Sequence, residues 1–199
     1  MSFKDIEILR DNDPNCKMLE SLGYVLVGTS WGARLDLTED FSLENLKLRI
    51  EKARNENYQL ELLGTGYVEE IFNLEVLNNS YYPYTPATHQ AMPTLESTGA
   101  LFKPNSWNFG ALYNKKLVAV CATSKRVNKT EIDFGSVHPD HKGKGIGIGL
   151  AAYALQTLIN MGERHFSTGG AEVNSSSKAT VEKLGFKIDE IWHSYQKHE

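Results

Sequence analysis

Apolar and polar positions change their period several times along the chain. Residues 1–20 show no sustained period and read as irregular or partly helical. YVLVGTSWGARLDL, Tyr24 to Leu37, alternates as one or two strands bent at Gly28 or Gly32. Leu43, Leu46, Ile50 and Ala53 then recur on one helical face, with Ser42 suited to the N-cap. A short strand, Tyr58 to Leu63, and a helix around Tyr67 to Leu77 follow. NNSYYPYTPATHQAMPTLESTG breaks the periodicity and reads as a polar, aromatic loop or a broken helix. WNFGALYNKKLVAVCATS predicts two strands around Asn114-Lys115-Lys116, and TEIDFGSVHP a third, stopped at Pro139. Leu150, Ala151, Ala154, Leu155, Leu158 and Ile159 form one face of the next helix, which Gly162 ends. HFSTGGAEV is a strand, NSSSKATVEKL a helix closed by Gly185, and GFKIDEIWHSYQ a last strand. This order, strand-rich early and βαβαβ late, predicts a mixed α/β sheet.

Composition narrows the picture. The 199 residues are enough for one good-sized domain with a real core. Lys and Arg number 21 against 25 Asp and Glu, a net charge of −4, and no basic stripe favours nucleic acid. Apolar residues make up 41%, broken up throughout; no run nears the roughly 20 needed to cross a bilayer, so no membrane partner is expected. MSFKDIEILRDNDPN is too charged for a signal peptide. Cys16 and Cys121 have no metal-like spacing, which points to a reducing cytoplasmic setting. Cys121, within LVAVCATS, reads as a small core residue rather than a nucleophile.

Candidate chemistry concentrates where Gly143, Gly145, Gly147 and Gly149 alternate at the start of a helix. Glycine inside a helix costs about 1 kcal/mol relative to alanine, so a run of them suggests that something approaches the backbone. A strand, a glycine loop and a helix N-terminus together present unpaired N–H groups to an anion. The Walker pattern fails, because Lys144 is followed by Gly145 and not by Ser or Thr. The dinucleotide fingerprint fails as well, because Ile146 and Ile148 stand where its wider gap belongs. A diphosphate ligand is the reading retained, against a glycine loop that binds nothing.

Lys142-Gly143-Lys144-Gly145-Ile146-Gly147 resembles the acyl-CoA pyrophosphate loop of the GCN5-related N-acetyltransferase superfamily, [QR]-x-x-G-x-[GA], with Lys142 in place of Gln or Arg. SVHPDHKGKGIG resembles that family's strand, proline turn and loop, and NSSSKATVEKLGF its second cofactor motif. The resemblance covers about residues 58–196. It implies the acyl-CoA N-acyltransferase fold: α/β, with a mixed, mostly antiparallel central sheet splayed between two parallel strands and flanked by helices. On this division residues 58–199 are the N-acetyltransferase domain, and residues 1–57 an N-terminal extension packed on it.

The resemblance implies acetyl-CoA as co-substrate, lying between the strand Glu131 to Val137 and the strand near Phe166 to Val173. It assigns the backbone N–H of Val137 to the thioester carbonyl. It assigns the amides of Lys142, Gly143, Lys144, Gly145, Ile146 and Gly147 to the pyrophosphate. Asn174 and, more weakly, Ser177 are cofactor candidates, although Asn174 serves equally well as a helix N-cap. Glu131 stands where some members carry a general-base glutamate; strand alternation would put it on one face with Asp133, Gly135 and Val137. A cleft-lining strand end is the plain alternative for these carboxylates. The family's usual proton-donating tyrosine is replaced by Val181, which leaves Tyr153, Tyr195 or Ser177 as a substitute, or a thiolate that departs unaided or takes its proton from water. Gly149 lies beyond the motif and is better explained by close helix packing.

His138 and His141 lack a further ligand cluster and read as loop residues rather than a metal pair. Tyr81, Tyr82 and Tyr84 fall on the acceptor side, lining a pocket or packing a loop. The implied function is transfer of an acetyl group to a primary amine of a small molecule or peptide. The alternative is a non-catalytic acyl-CoA-binding or sensing module, for which Val181 is the best support. The family usually finishes with two antiparallel strands, and only Phe186 to Glu199 remain here. LESLGYVLVGTSWGARLDL near the start resembles VEKLGFKIDEIWHSYQ near the end. The early segment either fills the vacant place in the sheet, is a relic of a duplicated half, or is alike by chance. An exposed strand edge would also allow a homodimer.

Overall fold

The strands β1 (Ile6–Arg10), β2 (Tyr24–Asp36), β3 (Gln59–Leu63), β4 (Ser106–Tyr113), β5 (Lys116–Lys125), β6 (Thr130–Val137), β7 (His165–Ala171) and β8 (Lys187–Lys197) join in one sheet. Its order is β1-β8-β2-β7-β6-β5-β4-β3. A computed structural model describes residues 6–39, 41–81 and 92–197. The helices are α1 (Asn15–Ser21), α2 (Glu44–Asn55), α3 (Val68–Asn79), α4 (Leu95–Gly99), α5 (Ile146–Asn160) and α6 (Ser175–Lys183). Among the described residues no helix is long and apolar enough to cross a membrane.

Helices cover both faces of the sheet. The main core joins Leu46, Ile50 and Ala53 of α2, Leu150, Leu155 and Leu158 of α5, Val181 of α6 and its C-cap Leu184 to inward residues of the strands. On the other face Ile71 and Leu74 of α3 pack on Leu63 and Val120. A third cluster places Cys16 and Leu19 of α1 against Leu9, Tyr24 and Tyr195. The β4–β5 hairpin turns on Asn114 (φ 50°) and Lys115 (φ 63°), two residues in the left-handed region that suits a tight hairpin.

Two elements near the N-terminus sharpen the sequence pattern. The stretch expected to be irregular or partly helical holds, among its described residues, a strand, Ile6–Arg10, as well as a helix, Asn15–Ser21. β1 is only five residues long, at the sheet's edge, which gives alternation little room to show. The second concerns β2, a single 13-residue strand. It pairs antiparallel with β7 through Ser30 to Asp36 and with β8 through Tyr24 to Arg34. The sheet therefore runs without a break across residue 57. Trp31, 2% exposed, lies over Gly170, where an added Cβ would come within 2.7 Å of its ring.

Among the described residues, β6 and β7 are the sheet's one parallel pair. They touch in register only at Thr130↔Phe166 and Glu131↔Ser167. Beyond those residues they part, and a cleft opens towards Val137.

Candidate active site

The closed end of the cleft is clamped from α5's far end. Glu163 accepts a hydrogen bond from the Thr130 hydroxyl at 2.8 Å and forms an ion pair with Lys125. Where the strands begin to separate, the Thr168 hydroxyl still reaches the Ile132 carbonyl at 3.1 Å.

A bulge in β6 decides which side chains face which way. Thr123 pairs with Ile132, but its neighbour Ala122 pairs with Phe134, so Asp133 is an extra residue on β6. The simple alternation expected for Glu131, Asp133, Gly135 and Val137 fails for this reason. Glu131 pairs with Ser124, whose hydroxyl donates to Asp133 at 2.9 Å, and Phe134 packs into the α3 cluster. Ile132 and Val137 pack instead into the core under α5. Glu131 and Asp133 thus share the α3 face with Phe134 and Ser136, while Val137 turns its side chain to the α5 face. Arg126 engages both carboxylates, Glu131 at 2.8 Å and Asp133 at 3.0 Å.

The backbone at the open end follows from register. The His138 N–H donates to the Val118 carbonyl at 2.8 Å. Hydrogen-bonded and non-bonded pairs alternate along an antiparallel ladder, so Val137, opposite Ala119, is a non-bonded position. Its N–H points away from β5, into the cleft.

After Val137 the chain makes a 3₁₀ turn at Pro139–His141. His138 Nδ1 accepts from the Asp140 N–H at 3.2 Å, and His141 Nδ1 meets the Tyr58 hydroxyl at 2.9 Å. Burial first, then Lys144, lowers the His141 pKa, so the ring is neutral at physiological pH. Among the described residues no three His, Cys, Asp or Glu side chains converge as a metal site would require.

Each glycine of the run has its own reason. Gly143 (φ 76°) and Gly145 (φ 78°) adopt the left-handed conformation, with nothing within 4 Å of an added Cβ. Backbone conformation, not crowding, fixes these two. A Cβ on Gly147 would lie 3.3 Å from Val137 Cγ2, so this residue seats the loop against the cleft wall. A Cβ on Gly149 would lie 2.7 Å from Ala53 Cβ, so its role is the close approach of α2 and α5. Gly145 is also the N-cap of α5 and provides no side-chain cap, leaving the first amides of a 15-residue helix open. This arrangement fits a pyrophosphate: open amides, a helix dipole, and the exposed Lys142 and Lys144 beside them.

Across the cleft, Asn174 caps α6, its Oδ1 accepting from the Ser177 N–H at 3.2 Å. Val137, the loop Lys142 to Gly147, and the pair Asn174 and Ser177 thus stand at strand and helix ends around the splayed pair; Glu131 stands apart at its closed end. Val181 is buried in the core. Of the three substitute hydroxyls, Tyr195 is bonded to Glu20 of α1 and pushed up to about 12 by burial, and Tyr153 packs edge-on to Phe109. Only Ser177 lies at the cleft-side end of α6. Lys142 Nζ sits 5.4 Å from the Tyr81 ring, bringing the end of α3 to the loop; Tyr82 and Tyr84 lie outside the described residues.

The sequence pattern missed a group on α3. Glu75, Asn78 and Ser136 lie together: Asn78 Nδ2 donates to Ser136 Oγ at 2.8 Å, and Ser136 is near enough to the Glu75 carboxylate to favour its charged form. Burial is the main influence on Glu75 and raises its pKa above the usual carboxylate range, with Ser136 acting against it.

Comparison with known proteins gives a consistent outcome. The acetyltransferase (GNAT) family model matches residues 69–186. Curated protein sequences include no match. A GCN5-related N-acetyltransferase from Sphaerobacter thermophilus shares the fold over 96% of this chain, with 12% identity and a TM-score of 0.71. A tandem GNAT protein from the clavulanic acid biosynthesis pathway does so over 96%, with 15% identity and a TM-score of 0.64. The chain spans only 58% and 62% of those two proteins' lengths. PaiA N-acetyltransferase from Thermoplasma acidophilum, solved with coenzyme A, matches 71% of this chain and 99% of its own, with 16% identity and a TM-score of 0.56.

Proposed function

The chain belongs to the acetyltransferase (GNAT) family, and from that premise we propose that it transfers the acetyl group of acetyl-CoA to a primary amine of a small molecule or peptide by direct attack. The observation that carries this reading is the splay of β6 from β7 beside an uncapped helix N-terminus. Acetyl-CoA supplies an acetyl thioester already activated towards nitrogen. In this reading the amides of Lys142, Gly143, Lys144, Gly145, Ile146 and Gly147 hold the pyrophosphate. The Val137 N–H stabilises negative charge on the thioester oxygen. Asn174, whose Oδ1 caps α6, offers its Nδ2 to the cofactor, with Ser177 beside it. The acceptor must give up a proton to a carboxylate on the α3 face, where Glu131 is the candidate from sequence. Two buried, unpaired cysteines suit a reducing cytoplasm.

A second reading, an acyl-CoA-binding or sensing module without turnover, is favoured by the buried Val181 where a proton-donating tyrosine would stand. Thiol release from acetyl-CoA across a panel of primary amines separates the two. The transferase reading expects release with some amines and thermal stabilisation by CoA but not by ATP. CoA stabilisation without release for any amine supports the binding module. Stabilisation by neither removes both.

A further inference from the structure

Glu75 of α3 has surroundings that neither the fold nor the cofactor loop requires. Its Oε1 is buried and has no hydrogen-bond partner, and the same is true of Asn78 Oδ1 one helical turn on. Two buried acceptor atoms without donors are costly in a folded chain, and such pairs persist where a ligand supplies the donors. Both side chains lie beside one strand residue, Ser136, whose hydroxyl accepts from Asn78. Ser136 immediately precedes Val137, whose N–H faces the cleft. Glu131, by contrast, lies six residues back on β6, roughly 20 Å along the strand, and Arg126 already holds its carboxylate.

The face also matters. α5 and its N-terminal loop lie on one side of the sheet, whereas α3 lies on the other. The C-terminal half of α3 follows the open end of the cleft, from Ser136 at Asn78 to Lys142 at Tyr81. An acceptor entering opposite the cofactor loop therefore meets Glu75 and Asn78.

We propose that Glu75 is the base that takes a proton from the acceptor's ammonium group, and that Asn78 Oδ1 holds a second N–H of the same nitrogen. This rests on the transferase reading above. It selects an amine that arrives protonated with at least two N–H groups, because one nitrogen must satisfy two acceptors and still bond to carbon. In the step, one ammonium N–H bond breaks and its proton goes to the Glu75 carboxylate. The freed lone pair forms the N–C bond to the acetyl carbon, and the C–S bond breaks with its electron pair on sulfur. The second nitrogen proton passes to the thiolate, and Glu75 later returns its own to solvent.

The titratable residues on elements packed against α3 are Lys116, Cys121 and Lys125 of β5, Glu131 and Asp133 of β6, Glu96 of α4 and Tyr67 of the 3₁₀ turn before α3; Glu69 and Glu70 lie on α3 itself. None of them registers as an influence on Glu75, which answers to burial and Ser136. No charged neighbour therefore competes with an incoming ammonium for the Glu75 carboxylate.

The test compares wild type, Glu75→Gln, Asn78→Ala and Glu131→Gln. Thiol release from acetyl-CoA is followed across pH, and CoA affinity by calorimetry. The expected result is a loss of about 10²–10⁴-fold in kcat for Glu75→Gln, with the acidic limb of the pH profile gone and CoA affinity kept. Asn78→Ala is expected to raise KM for the amine more than it lowers kcat. Glu75→Gln with wild-type kcat and an intact acidic limb overturns the proposal. So does loss of that limb in Glu131→Gln with its retention in Glu75→Gln. If wild type binds CoA but acetylates no amine, the transferase reading fails and the base role with it. That outcome is told apart from the others because it appears before any substitution is made.

Discussion

Ser30 of β2 pairs with Trp192 of β8, and the pairings on either side of this point repeat one another. Superimposing Leu22-Gly23-Tyr24 on Leu184-Gly185-Phe186 sets Ser30 on Trp192 itself. Thr29↔His193 then maps onto Trp31↔Ile191, and Leu26↔Tyr195 onto Ala33↔Ile188. Even the bulges correspond, Val27 on β2 and Asp189 on β8. So do loop bonds, once one extra residue in the β1–α1 loop is allowed for: Asp11 N–H to the Ile191 carbonyl, and Glu172 N–H to the Thr29 carbonyl. β1–α1–β2 therefore stands to β7–α6–β8 as one copy to another around a local two-fold. A chance likeness of hydrophobic residues does not reproduce bulges and loop bonds. The repeated segment gives β2 its place between β7 and β8.

That place predicts dependence of the whole sheet on residues far upstream of the cleft. Removing residues 1–40 leaves β7 with an unpaired edge and β8 with no neighbouring strand, and takes Trp31 out of the core. The expected product is insoluble or lacks a cooperative unfolding transition; a soluble chain with wild-type Tm contradicts this. A milder probe is Gly170→Ala, whose Cβ would come within 2.7 Å of the Trp31 ring. Overpacking of this kind is expected to lower stability by about 1–3 kcal/mol in urea denaturation.

The glycine loop predicts two distinguishable failures. Gly145→Ala meets no atom within 4 Å but is held at φ 78°, so it loses about 1–2 kcal/mol in backbone strain. Gly147→Ala has an ordinary helical site but presses on Val137, displacing the loop from the cleft wall. The first is expected to lower both Tm and CoA affinity, the second chiefly CoA affinity, by about tenfold or ~1.4 kcal/mol. Lys142→Ala, at an exposed side chain, is expected to lose less, and less still at high salt. Calorimetry with CoA beside thermal melts tells these cases apart.

Much of the layout was legible in the sequence because the elements bury one face and show it in their period. β6 was legible as a strand but not in its facing, since a one-residue bulge at Asp133 leaves no mark on composition. β1 escaped because five residues at an edge, next to charged neighbours, carry little periodic signal. Glu75 was within reach. Ile71, Leu74, Glu75 and Asn78 stand at i, i+3, i+4 and i+7, one stripe of α3 that begins apolar and turns polar. A carboxylate and an amide on the buried face of a helix signal a polar site beneath. The bond to Ser136 that makes them a unit depends on a sheet contact between distant segments, which no local pattern encodes.

Glu163 gives a prediction in acid. Burial alone would raise its pKa, but the Lys125 ammonium and the Thr130 hydroxyl outweigh this and hold it below the usual carboxylate value. A depressed folded-state pKa means stability that is present above the unfolded value and lost as pH falls through the folded one. Glu163→Gln is therefore expected to melt below wild type near neutral pH, with the gap closing as pH falls below about 4. Thermal melts over that range check it, and a gap that persists into acid assigns the loss to packing instead.

Glu75 has the opposite sign. Burial holds its folded-state pKa above the unfolded value, so the folded chain binds the proton more tightly than the unfolded chain does. Stability attached to the protonated form is present in acid and lost as pH rises through the raised value. Glu75→Gln cannot ionise and escapes that loss, so its Tm is expected to exceed wild type at about pH 8 and to approach it at about pH 4. In a domain of this size each ~1 kcal/mol corresponds to about 2–4 °C. A variant that loses turnover while gaining heat stability would separate Glu75 from residues that matter only for folding, since loss of a structural carboxylate lowers both. A Tm difference that stays flat between those pH values would mean that the carboxylate is solvated in the folded chain, and the buried charge would be ruled out.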